Sequence, residues 1–289
     1  MQLDLATVLV QVATGGLAFC WVTTRRREVG LGYGWLLRIT FGVIAILGVV
    51  SGLGDGGTGA AVRNVAATVM AVAAAGALWI SVVRRGAGVR GQHVRRQARR
   101  ERVAAMVRPP TNEEVTGADE AGVTAPEFDP RLDLLAPLAG MIALAGAAAF
   151  VGGDGALSFA RLEVGALFVG AVTDAMLLGH WYLVQPGLAR DPIKELVQVV
   201  AVLWPLELLM WLIPTGMLSV MSGTIDDGYD GLVGWMWVVA SITTIGLVVA
   251  TWFALKERAY SAVMAATGLL YLAILTGFGM DLLPRALLG

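Results

Sequence analysis

Eight stretches of this sequence are each apolar enough and long enough to cross a lipid bilayer, and that leaves few folds open. A helix rises 1.5 Å per residue, so about 20 residues span the ~30 Å of hydrocarbon in a membrane. The runs predict helices over roughly 3–23, 35–53, 61–83, 133–152, 160–184, 195–221, 231–254 and 260–281. A chain with 57% hydrophobic and 15% charged residues lies outside the range of a soluble domain of 289 residues. The expected fold is therefore all-α: a polytopic integral membrane helical bundle of about eight transmembrane helices. Frequent Gly and Ala suit it, because lipid offers no hydrophobic drive for helix association and close backbone approach must supply the contact.

Charge sets the expected topology. Arg25, Arg26 and Arg27 follow the first helix, Arg84 and Arg85 the third, and Lys256 and Arg258 the seventh; the loops at 152–155 and 224–231 contain no Lys or Arg. By the positive-inside rule both termini lie outside. Trp21, Trp35, Trp79, Trp181 and Trp252 then fall at the inner interface, as an aromatic belt. The opening MQLDLATVLV has no basic stretch before its apolar run, so it reads as a retained first helix rather than a cleaved signal. This pattern is expected of a prokaryotic cytoplasmic (inner) membrane.

The charge pattern also divides the chain into residues 1–83 with helices one to three, a cytoplasmic segment at 84–131, and residues 132–289 with helices four to eight. Residues 84–108 carry nine arginines against Glu101, and residues 109–130 carry six acids with no Lys or Arg. Arg95, Arg96, Arg99 and Arg100 are candidates for docking to anionic lipid headgroups, at about 1 kcal/mol per basic residue near the leaflet, or to an acidic soluble partner such as another subunit of a membrane complex. No aromatic residue lies in the basic stretch, which argues against nucleic acid. The acidic, Pro-containing stretch reads as a linker. The division into three helices, a linker and five helices argues against a simple inverted repeat.

Net charge is −1, so no overall field selects a partner. A single cysteine, Cys20, excludes an intrachain disulfide and a cysteine-based metal site.

Chemistry is expected where ionisable groups interrupt the apolar runs. Asp174 and Glu207 are the leading candidates, as proton-exchanging carboxyls. A charge near the bilayer centre costs at least roughly 2.5–3.5 kcal/mol, so such groups face a protein interior or a wet path. Depth counting allows the two to share one site, with Trp204 and Trp211 on either side of Glu207. The competing view is that each is a protonated acid bonded to a neighbouring helix as packing glue.

His180, Trp181, Tyr182 and Thr173 are candidate ligand-binding residues. With Asp174 they supply the donor, carboxyl and aromatics that a quinone headgroup needs; the competing view makes them interface anchors. Haem is disfavoured, since it commonly takes two axial ligands and His180 is the one histidine in a predicted helix. No metal site is expected. Arg38, Arg63, Arg161 and Glu163 lie near predicted helix ends, where they are expected to snorkel.

Three functions follow as expectations: a membrane subunit of an electron-transfer or proton-handling system, a proton- or sodium-coupled transporter, or an anchor without a site that docks a soluble partner.

Overall fold

The computed structural model describes residues 3–26, 28–84, 97, 100–103, 128–185, 187–214 and 216–288. We number the helices α1 (Leu5–Thr24), α2 (Leu31–Ser51), α3 (Thr58–Val83), α4 (Leu135–Val151), α5 (Gly155–Val184), α6 (Asp191–Leu212), α7 (Gly216–Met221), α8 (Leu232–Ala254) and α9 (Tyr260–Leu287); a 3-10 turn, Pro130–Leu134, leads into α4. No strand occurs among the described residues. Eight of the helical segments are long and apolar enough to cross a membrane; the exception is the short α7.

The helices close into two rings. In the first, α1 packs on α2, α2 on α3, α3 on α4 and α4 on α1; in the second, α5 packs on α6 and α9, and α8 on α6 and α9. The rings meet mainly along α1 and α5, which run parallel. Side chains there are small because the backbones nearly touch: a Cβ on Gly15 would strike the main chain of Ala166 in α5, and one on Gly170 would strike Gly15. This seam makes α5 the most enclosed of the long helices. On α5, Ala171, Ala175 and Gly179 are buried as their four-residue spacing predicts, with Gly179 against Thr267 of α9.

One end of the bundle is acidic at its surface, with Asp55, Asp154, Asp226, Asp227 and Asp230. The other is basic, with Arg25, Arg26, Arg84, Arg190, Lys194, Lys256 and Arg258. At the basic end Arg25 and Arg26 pair with Glu195 at the start of α6, and Arg190 donates to the carbonyls of Glu257, Arg258 and Ala259. These contacts fasten the loops of the second ring to each other and to α1.

The structure departs from expectation in two elements. The predicted helix 195–221 is two helices, α6 ending at Leu212 and α7 starting at Gly216, so Pro214 lies outside both and only Pro205 inside a helix. The predicted helix 260–281 continues through Pro284 to Leu287. Both departures occur at the acidic end, where they shape the site described below.

Arg38, Arg63 and Arg161 do not snorkel. They are buried and paired internally. Arg38 makes a bidentate ion pair with Asp133 of the 3-10 turn, at 2.7 Å for both Nε and Nη2. Thr24 donates to the same carboxylate, and Ser81 accepts from both Arg38 and Trp35. Arg63 pairs with Asp4 and Asp55 and lies over the Phe150 ring, tying α1, α3 and α4 together at the acidic end.

Candidate functional site

The site is built around two prolines. A proline has no N–H, so the carbonyl four residues earlier in a helix loses its usual donor. Pro214 thereby strands the Met210 carbonyl, and Arg161 from α5 supplies the replacement: its Nε donates to Met210 O at 2.9 Å, while Nη2 donates to Ile213 O. Pro284 strands the Met280 carbonyl in the same way, and Trp237 of α8 donates its indole N–H there at 3.0 Å. Helix ends need such side-chain partners when they are buried away from water.

Arg161 is held over the Trp211 ring, 4.9 Å from its centroid, and Arg285 approaches the same ring at 6.0 Å. Trp211 is fully buried and donates its Nε1–H to Glu207 Oε1 at 2.6 Å, one turn earlier on α6. The Asp281 carboxyl of α9 is an electrostatic neighbour of Glu207, whose Oε2 takes no hydrogen bond from the described residues. Asp281 accepts from Arg285 at 2.8 Å and from Gln11 of α1 at 3.3 Å. Gly165 of α5 leaves the space that the cluster fills, since a Cβ there would lie 2.5 Å from Asp281 Oδ1 and would also strike Gln11. The short α7 covers the acidic-end side, where Met217 and Val220 pack with Trp211 and Trp237 in a separate apolar cluster.

Two acids and two guanidiniums, drawn from α5, α6 and α9, therefore converge in one enclosure. Two neighbouring carboxyls buried together disfavour double ionisation, so the Glu207–Asp281 pair is a place where one proton can be retained. If that proton leaves, Arg285 beside Asp281 and Arg161 facing Glu207 offset the new charge. A buried, charge-compensated group of acids and bases can exchange a proton without leaving an isolated charge in an apolar medium.

The predicted residues divide. Glu207 and Trp211 are in this cluster. Trp204 is not: its indole N–H donates to Ser241 O of α8, so Glu207 has one indole partner rather than two. Glu207 also lies five residues from the end of α6, near the acidic end rather than at mid-depth.

Asp174 does not join it. Its electrostatic neighbours are Cys20 of α1 and Tyr33 of α2, and Tyr33 Oη donates to its main-chain carbonyl at 3.1 Å. Thr173, beside it, is buried with an unpartnered hydroxyl. His180, Trp181 and Tyr182 diverge from one another. His180 is exposed, with Nδ1 3.2 Å from Tyr271 Oη; Trp181 packs on the Tyr33 ring at 5.8 Å; Tyr182 donates to Ala189 O. These side chains do not converge on one headgroup. Arg95, Arg96 and Arg99 lie outside the described residues; Arg100 is exposed on a helical turn. Among the described residues no group of three or more His, Cys, Asp or Glu is placed to hold a metal ion.

Sequence reasoning missed Asp281, Arg285, Gln11 and Arg161. Signals for them existed. Asp281 and Arg285 stand four apart, the spacing of an ion pair on one helix face, and Met210 and Met280 each precede a proline by four.

No protein-family model, curated protein or solved structure matches this chain.

Proposed function

We propose that the chain is an integral membrane protein that handles protons, with the Glu207–Asp281 pair as its proton-exchanging site. Eight apolar helices support the membrane assignment, and the segregation of surface charge supports an orientation with the basic end in the cytoplasm and both termini outside. The proton assignment rests on one observation: a fully buried carboxyl of α6 with one oxygen unpartnered, beside a second buried carboxyl of α9 and flanked by two guanidiniums. A purely structural staple would bond every acid oxygen to a donor, whereas Glu207 Oε2 takes no hydrogen bond from the described residues.

The test is proton flux into proteoliposomes, driven by a potassium diffusion potential and read with an internal pH dye. Wild-type protein carries flux, and Glu207→Gln lowers it by roughly 10²-fold or more, the scale of a lost proton-transfer group, while insertion and thermal stability are retained. Equal flux in the two proteins would contradict the assignment.

A second reading, proton-coupled transport of a small solute, is favoured by the break between α6 and α7. Discontinuous helices whose unwound carbonyls face a polar site are the usual construction of substrate sites in secondary transporters. In that case flux appears only when the solute is supplied, and the two readings separate in the same assay.

A further inference from the structure

The seam between α1 and α5 holds polar groups at two levels. Gln11 of α1 and Gly165 of α5 mark the first, at the Glu207–Asp281 cluster. Cys20 of α1 and Asp174 of α5 mark the second. Each pair member lies nine residues further along its helix, so on parallel helices the two levels are about 13.5 Å apart along the axis. Between them Gly15 abuts Ala166 and Gly170, backbone against backbone, and Phe41 of α2 fills the side of Gly16.

Asp174 is fully buried, and none of the described residues donates a hydrogen bond to either of its carboxyl oxygens. Its electrostatic neighbours are Cys20, at the same level of the seam, and Tyr33. Toward the basic end come Tyr33 and, next to Cys20, the Arg38–Asp133 pair with its partners Thr24 and Ser81. Toward the acidic end comes the glycine contact. The titratable groups facing it are Cys20 from α1 and Tyr33 from α2, with Arg38 and Asp133 next to Cys20 and Tyr182 next to Tyr33; none of these is a cation in contact with the carboxyl.

We infer that Asp174 is a second proton-exchanging carboxyl, reached from the basic end of the bundle and separated from the Glu207–Asp281 pair by the Gly15–Gly170 seam. The inference rests on the proton-handling reading and extends it: one proton site serves each face, and the seam is the barrier between them. Glycines suit such a barrier because a slight separation of α1 and α5 opens it and reseating the two backbones closes it.

The test uses full-length protein in oriented proteoliposomes and a membrane-permeant hydrophobic carbodiimide, which adds to protonated buried carboxyls and leaves an N-acylurea on them. Peptide mapping by mass spectrometry quantifies each adduct while pH is varied on one side at a time. Labelling of Asp174 is expected to fall when the basic-end side is made alkaline and to be indifferent to the acidic-end side, with the reverse for Glu207 or Asp281. Asp174→Asn removes its adduct and leaves the other intact. The inference is overturned if Asp174 stays unlabelled at every pH, or if its labelling follows the acidic-end side. Loss of labelling at Glu207 and Asp281 alone would instead refute the function proposed above and leave the Asp174 site standing.

Discussion

At the scale of single residues the bundle is organised by buried guanidiniums. Arg38, Arg63, Arg161 and Arg285 are each buried, and each is matched to carboxylates or stranded carbonyls rather than to water. In a low-dielectric interior a matched pair is close to neutral for stability, whereas one partner without the other is strongly destabilising. Arg38→Ala should therefore destabilise the protein by about 3–5 kcal/mol, because it leaves Asp133 buried and unpaired. Replacing both, as Arg38→Met with Asp133→Leu, should restore most of that loss. Thermal unfolding in one detergent measures both, and a double variant as unstable as the single one would contradict this account. The sequence marked these arginines as polar interruptions, but not their partners. Asp133 lies 95 residues from Arg38, beyond the charged segment, and no local periodicity connects the two.

At the scale of elements, proline placement governs the acidic end. Apolar length predicted all eight helices that are long and apolar enough to span a membrane, because hydropathy over some twenty residues is a strong signal. It did not predict the α6–α7 break or the extension of α9. Both turn on a proline four residues past a carbonyl that another helix serves, a relation between distant residues. The α7–α8 loop shows the same economy of partners. Its three acids, Asp226, Asp227 and Asp230, lack the full ligand spacing of a calcium loop, and Asp227 accepts the backbone N–H groups of Tyr229, Gly231 and Val233 and so caps α8. The Gly231 amide, followed by those of its neighbours, holds the Asp227 carboxyl below its ordinary value. With a folded value depressed, its contribution is complete above the ordinary carboxylate range and is lost as pH falls through the folded value. Hydrogen exchange at Gly231 and Val233 should accelerate at acid pH, and Asp227→Ala should give the same fast exchange at neutral pH. Unchanged exchange in the variant would remove the cap from this explanation.

At the scale of the whole molecule the bundle consists of two helix rings joined along a glycine seam, with buried carboxyls toward either end of it. The rings were not legible in the sequence. The long charged segment falls between helices three and four, whereas the ring boundary falls between α4 and α5, so connection length misdirects the eye. Glu207 was legible as an acid in an apolar run; its partnership with Asp281 was not, because the two are 74 residues apart and meet only when α9 crosses α6.

On the proposed function, Glu207 and Asp281 hold one exchangeable proton between them. Infrared pH-difference spectroscopy on lipid-reconstituted Asp174→Asn protein tests it most directly, since a protonated carboxyl has a separate C=O stretch and the Asp174 contribution is removed. One pH-dependent carboxyl band should appear, and Glu207→Gln and Asp281→Asn should each abolish or shift that same band. A band that neither substitution touches, or no pH-dependent carboxyl at all, would contradict it.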